Sequence, residues 1–176
     1  MVSRHSTIRR KPWLTTSRRG AITVLAAAMS VFLCVMVAFA VDVGYVYWTR
    51  SDLESAANAA AMAGGIELRN DEAFSDIRNS AVTFAELNSP GISNILRTSD
   101  VTLGIWNFDT KVFTAGGTDP NAVRVTIRRD HLSAKVPTFF SKVFGVASID
   151  DTVTAITAFD PEWYDGTEIG PIELVQ

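Results

Sequence analysis

From Gly20 to Val41 the chain carries no charged side chain, and at about 1.5 Å per residue this apolar run makes a helix of about 32 Å, close to the hydrocarbon thickness of a bilayer. One membrane pass over 20–41 is the economical reading. Beyond it Leu53, Ala56, Ala57, Ala60, Ala63 and Gly64 recur at helical spacing, so the helix is expected to continue over 42–65 with a small-residue face. Gly64-Gly65 then offers a stop or a hinge. Asn70 and Asp71 suit caps for a second helix with Phe74, Ile77, Ala81 and Phe84 on one face, ending before Asn88-Ser89-Pro90-Gly91.

After that turn the period shortens to two. Val101, Leu103 and Ile105 alternate with Thr102, Gly104 and Trp106, and Val123, Val125 and Ile127 alternate with Arg124, Thr126 and Arg128, the pattern of half-buried strands. A further strand is expected at Val112–Thr114 and a last one from about Thr152 to Phe159. Between them Pro137 suits the first turn of a short helix that shares Phe140, Val143 and Phe144 on a face and stops at Gly145. These elements predict an α+β fold: a transmembrane helix extending into an outer helix, then a small antiparallel sheet domain over 66–159 with flanking helices.

Charge gives the run a direction. Arg4, Arg9, Arg10, Lys11, Arg18 and Arg19 precede it and no acid appears before Asp42, so residues 1–19 are expected in the cytoplasm and everything after about Trp48 outside. Tyr45, Tyr47 and Trp48 mark the exit, where amphipathic rings favour the headgroup layer. The outer part holds the remaining 10 basic residues against all 19 acidic ones, near −9, which argues against nucleic-acid binding. Two export signals compete with a retained anchor: Ala38-Phe39-Ala40 has a small-x-small cleavage pattern, and Ser17-Arg18-Arg19 loosely fits a twin-arginine address. The run is longer than a signal core of about 7–15 residues, so retention is expected.

Arg19-Gly20-Ala21-Ile22, Ala40-Val41-Asp42-Val43-Gly44 and the segment Leu53–Gly64 resemble the N-terminal part of TadE/TadG-like pilus-assembly proteins of the tight-adherence (Flp pilus) machinery. Downstream, Gly104-Ile105-Trp106-Asn107, Asn121–Val125 and Phe139-Phe140-Ser141-Lys142-Val143-Phe144-Gly145-Val146 are similar to the extracytoplasmic part of TadG-like proteins. The resemblance implies a single-pass cytoplasmic-membrane component that meets pilus-assembly or secretion-machinery proteins through its N-terminal helix. Asn58 stands where the family often has aspartate. A von Willebrand factor A-type domain, common in full-length TadG-like proteins, does not fit in 176 residues, so no adhesion-type metal site is implied. Prepilin-type processing after Gly20 would put Leu25 where processed pilins resemble one another in having glutamate, and is not expected.

Chemistry adds little to this picture. Cys34 is the only cysteine and reads as an apolar filler within the run. Asp42 ends the run, either as a boundary marker at the interface or as a partner for a basic group on a neighbouring helix. Ala56, Ala60, Ala63 and Gly64 form the candidate helix-packing surface, against the protein's own domain or against a partner helix. His5 and His131 are too few for a multi-histidine metal site, the aspartates lack calcium-loop spacing, and Gly116-Gly117 lacks the lysine of a phosphate loop. No catalytic residue, cofactor or metal is therefore expected. Arg124, Arg128 and Arg129 read as the wet face of a strand, with an acidic docking partner as the alternative. Residues 160–176, with five acids and no base, are expected as a flexible tail carrying Trp163 and Tyr164. The function expected is a non-enzymatic, membrane-anchored structural component of a pilus or secretion apparatus; the alternative is an envelope-anchored binding module for a surface ligand.

Overall fold

Helical spacing persists past the glycine pair, and in the computed structural model one helix, α1, runs over Arg19–Arg69. The structure describes residues 19–89, 92, 94–132, 135–160 and 172–175. The basic stretch through Arg18, Pro90-Gly91, Trp163 and Tyr164 lie outside them. The chain divides into two units, Met1–Val37 and Ala38–Gln176.

Within the first unit, Ile22, Leu25 and Phe32 are exposed, along with most of their neighbours. The helix is long and apolar enough to cross a membrane.

The second unit is a two-layer α+β domain. Its sheet has the order β2-β1-β3-β6-β7, antiparallel throughout, from β1 (Val101–Asn107), β2 (Val112–Ala115), β3 (Ala122–Arg129), β6 (Asp151–Phe159) and β7 (Ile172–Val175). The register sets Leu103, Val123 and Thr157 in one row and Val101, Val125 and Ala155 in the next. Because alternate residues face the same side, these rows present a continuous apolar surface. Against it pack Leu53, Ala56, Ala57, Ala60 and Ala61 of α1 and Ile77, Ala81 and Ala85 of α2 (Phe74–Asn88), all buried. The opposite face holds a smaller cluster of Trp106, Ala122 and Ala158 with Phe113 and Ile156.

Several expectations change here for physical reasons. Gly64 and Gly65 neither stop nor turn the helix. A Cβ on Gly64 would lie 3.1 Å from Val123 Cγ1 and 3.6 Å from Ala81 Cβ, and one on Gly65 would fall on the Thr157 methyl, so both glycines serve close approach. The helix ends instead where Asp71 takes a left-handed conformation, φ 59°, after the amides of Asn70 and Asp71 return to Ile66 and Leu68. Neither Asn70 nor Asp71 caps α2, whose N-cap is Ala73 without a side-chain bond. Ala81 opposite Gly64 brings the two helices too close for phenyl rings between them, so Phe74 and Phe84 are exposed and Ala85 completes the buried stripe.

In β1 the alternation breaks after Leu103: Ile105 is exposed while Trp106 is buried on the opposite face. Ile172–Val175, within the stretch read as a flexible tail, pairs with Ile156–Phe159 as the fifth strand. Pro137 begins no helix. It belongs to β4 (Val136–Pro137), which pairs with β5 (Ser148–Ile149) as the stem of a separate hairpin. The helical turn comes later and is shorter, a 3-10 turn at Ser141–Phe144 that Gly145 ends with φ 87°.

Candidate functional site

The most heavily bonded polar side chain on α1 is Asp42, 4 % exposed although it directly follows the apolar run. Its partners come from the β4–β5 hairpin, 97 to 99 residues downstream. The Phe139 amide donates to Oδ1 at 2.8 Å, the Phe140 amide to Oδ2 at 3.1 Å and Oδ1 at 3.2 Å, and the Ser141 amide and hydroxyl each to Oδ2 at 2.6 Å. The carboxylate thus gathers the free donors at the entrance of the 3-10 turn, where an acceptor is most needed.

Such bonds favour the charged form. The Ser141 hydroxyl contributes most, burial opposes it, and the three amides add to the hydroxyl, so the Asp42 pKa falls from 3.8 to about 2. Asp42 remains ionised throughout the physiological range.

The hairpin is built to be held this way. Thr138 is buried, its amide donates to Ala147 O at 3.2 Å, and its hydroxyl donates to the Val146 carbonyl. Gly145 and Val146 amides close onto Lys142 and Ser141 carbonyls at 3.1 Å. Phe139 meets Tyr45 edge-on, ring centroids 5.1 Å apart at 78°, and Tyr45 lies 6.1 Å from Trp48. The remaining tip side chains point outward: Val143 is 83 % exposed, Phe144 78 %, and Phe140 and Val146 are exposed as well. Asp42 stands out in the sequence as the end of the apolar run, where open interface or a basic partner is the expected setting. Its partners are three amides and a hydroxyl, all from the FFSKVFGV segment, whose aromatics the core does not use.

Ala56, Ala60 and Ala63 are buried, and Gly64 faces Val123, Ala81 and Ile77, so the small-residue surface lies inside the protein's own domain. The arginines of β3 are likewise engaged. Arg124 stacks over Phe113 at 4.6 Å, Arg128 pairs with Asp100 at 3.3 Å, and Arg129 is buried beside the Lys135 carbonyl. His131 is exposed. Among the described residues no group of three or more His, Cys, Asp or Glu is arranged to hold a metal ion.

A helix apolar and long enough to span a membrane, whose later residues belong to the core of a small α+β domain, defines a candidate membrane-anchored protein. Residues 48–157 match the model of a Tad-like Flp pilus-assembly family, and residues 20–67 match that of a TadE/G-like Flp pilus-assembly family. The chain belongs to the Tad-like Flp pilus-assembly family. No curated protein and no solved structure is detectably similar to it.

Proposed function

We propose that this Tad-like protein is a non-enzymatic structural component of a Flp-type pilus or secretion apparatus, anchored in the cytoplasmic membrane by residues 20–41 with its N-terminus in the cytoplasm. The observation that carries this reading is the double use of α1: its first part is apolar and exposed, and its second part is the spine of the folded domain. An anchor of this kind transmits position. It carries no reacting group.

Because the Ala56–Gly64 surface is occupied by the domain itself, contacts with machinery proteins fall to the exposed apolar half of α1 and to the outer face of the domain. The basic segment before Gly20 favours retention of the N-terminus on the cytoplasmic side, and the acidic outer part is free of the charge bias that would hold it back.

Deletion of the gene with complementation in trans tests the assignment. Loss of surface pili, restored by the intact protein but not by one lacking residues 1–41, is the expected outcome. Normal piliation of the deletion strain, with the protein of the parent strain found in carbonate-washed membranes, would transfer the assignment to a binding module unrelated to pili.

A further inference from the structure

The β4–β5 hairpin departs from the rest of the domain in placing its large apolar side chains outside. Of the residues from Val136 to Ile149 only Lys142 is ionisable, and no acid is among them. Phe139, Phe140, Val143, Phe144 and Val146 are all exposed, in a contiguous stretch of chain that the core does not need. A patch of this kind on a soluble surface is a liability unless something covers it.

Its position says what that is. Asp42 holds the tip by three successive amides, and Asp42 follows Val41, the last residue of the apolar run, with exposed Phe39 only three positions earlier. At about 1.5 Å per residue the tip is therefore tethered within about one helical turn of the end of that run. Tyr47 and Trp48, both exposed, flank the same level of α1, and Tyr45 touches Phe139. Aromatic rings beside the end of an apolar helix mark the headgroup region of a bilayer.

We propose that the tip of this hairpin, residues 138–147, is a second membrane contact, a finger that buries Phe140, Val143, Phe144 and Val146 in the lipid interface beside the point where α1 leaves it. The proposal rests on the anchor reading above and deepens it. Most of the tip's amide donors, one obstacle to inserting a loop in lipid, are satisfied. The amides of residues 138–141, 143, 145 and 146 all donate within the protein, three of them to Asp42. Interfacial amphipathic helices sink their apolar faces about 5–10 Å into the headgroup–acyl boundary, and the finger calls for no greater depth. Lys142, exposed on the same turn, is suited to anionic lipid phosphates, with its apolar stem along the surface and its ammonium in water.

The test uses the full chain reconstituted in phosphatidylcholine–phosphatidylglycerol vesicles. In a Cys34→Ser background, single cysteines at Val143→Cys, Phe144→Cys, Thr110→Cys and Phe32→Cys carry an environment-sensitive fluorophore, read against iodide in water and against nitroxide-labelled lipids. The finger requires that labels at 143 and 144 lose most of their emission to the nitroxide lipids and resist iodide, while the label at exposed Thr110, in the β1–β2 turn, does the reverse. Iodide quenching at 143 and 144 equal to that at 110, with the Phe32 label still quenched by lipid, overturns the finger and leaves the anchor. Iodide access at Phe32 as well brings down both readings. Labels at 143 and 144 protected from both quenchers would show that protein, such as a second copy of the chain, covers the tip, and would overturn the lipid assignment.

Discussion

Gly64 and Gly65 are neighbours in one helix, and replacing each by alanine separates a packing role from a hinge role. In a helix interior the exchange is worth about 1 kcal/mol in favour of alanine. At Gly64 the new methyl meets Val123 Cγ1 at 3.1 Å and otherwise sits at ordinary contact distance from Ala81 and Ile77. A shift of a few tenths of an ångström relieves the one tight contact, so Gly64→Ala is expected to be neutral or up to about 1 kcal/mol stabilising. At Gly65 the methyl lands on Thr157 Cγ2 and lies 3.2 Å from its Cβ. Thr157 is 1 % exposed and sits in β6 between β3 and β7, and its branched Cβ leaves little rotamer freedom.

Overpacking of this kind costs about 1–3 kcal/mol, which exceeds the propensity gain and makes Gly65→Ala a net loss of about 1 kcal/mol. Thr157→Ser removes the offending methyl. The double variant Gly65→Ala/Thr157→Ser should therefore recover the loss, with a coupling energy of about 1 kcal/mol or more. Urea midpoints of the full chain in detergent micelles, followed by pulse proteolysis of the outer domain, measure all four proteins at comparable slope. Equal stabilisation by both alanines with no coupling to Thr157 would refute the packing argument.

Asp42→Asn should loosen the hairpin, seen as faster hydrogen exchange at the Phe139, Phe140 and Ser141 amides. Since the folded pKa lies below 3.8, the clamp's contribution is complete above about pH 4 and fades as pH falls through about 2; the wild-type tip should show this acid sensitivity and the Asn variant should not. Leu53→Ala, at a residue 1 % exposed in the main core, should cost about 2–5 kcal/mol in the same urea assay. Val143→Ser/Phe144→Ser alters only outward side chains and should change stability by about 0.5 kcal/mol or less, while weakening any interfacial attachment.

The elements that the chain's local pattern made legible are those whose period is set by one neighbouring layer. The apolar run before Asp42, the Leu53–Ala63 stripe, the alternation in β3 and the span of β6 all fall in place. What escaped depends on distant partners. The Asp42 acceptor site finds its donors almost a hundred positions away, and no spacing rule reaches that far. Strand β7 is only four residues long, Ile172-Glu173-Leu174-Val175, too short for a period to show, and exists because β6 offers it an open edge. Pro137 carries equal local licence for a helix start and for a strand end, and pairing with Ser148 decides. The glycine pair has the composition of a break, yet only the proximity of Val123 and Thr157 shows why a side chain is absent there.

The clamp between Asp42 and Ser141 also constrains the order of events during biosynthesis. Leu53 and the alanines after it share one core with Val153 and Ala155, so the earliest part of the domain to be made waits for the last long strand. Until residues near 155 have emerged, the sheet over the alanine stripe of α1 lacks β6, and until residues near 149 have, the hairpin is not closed around the amides that meet Asp42. Contacts separated by about a hundred residues close slowly, because the loop entropy is spent before they return anything. A newly made chain therefore passes through an interval in which its first helix is complete and its domain is not. During that interval the chain exposes a surface that the finished protein hides.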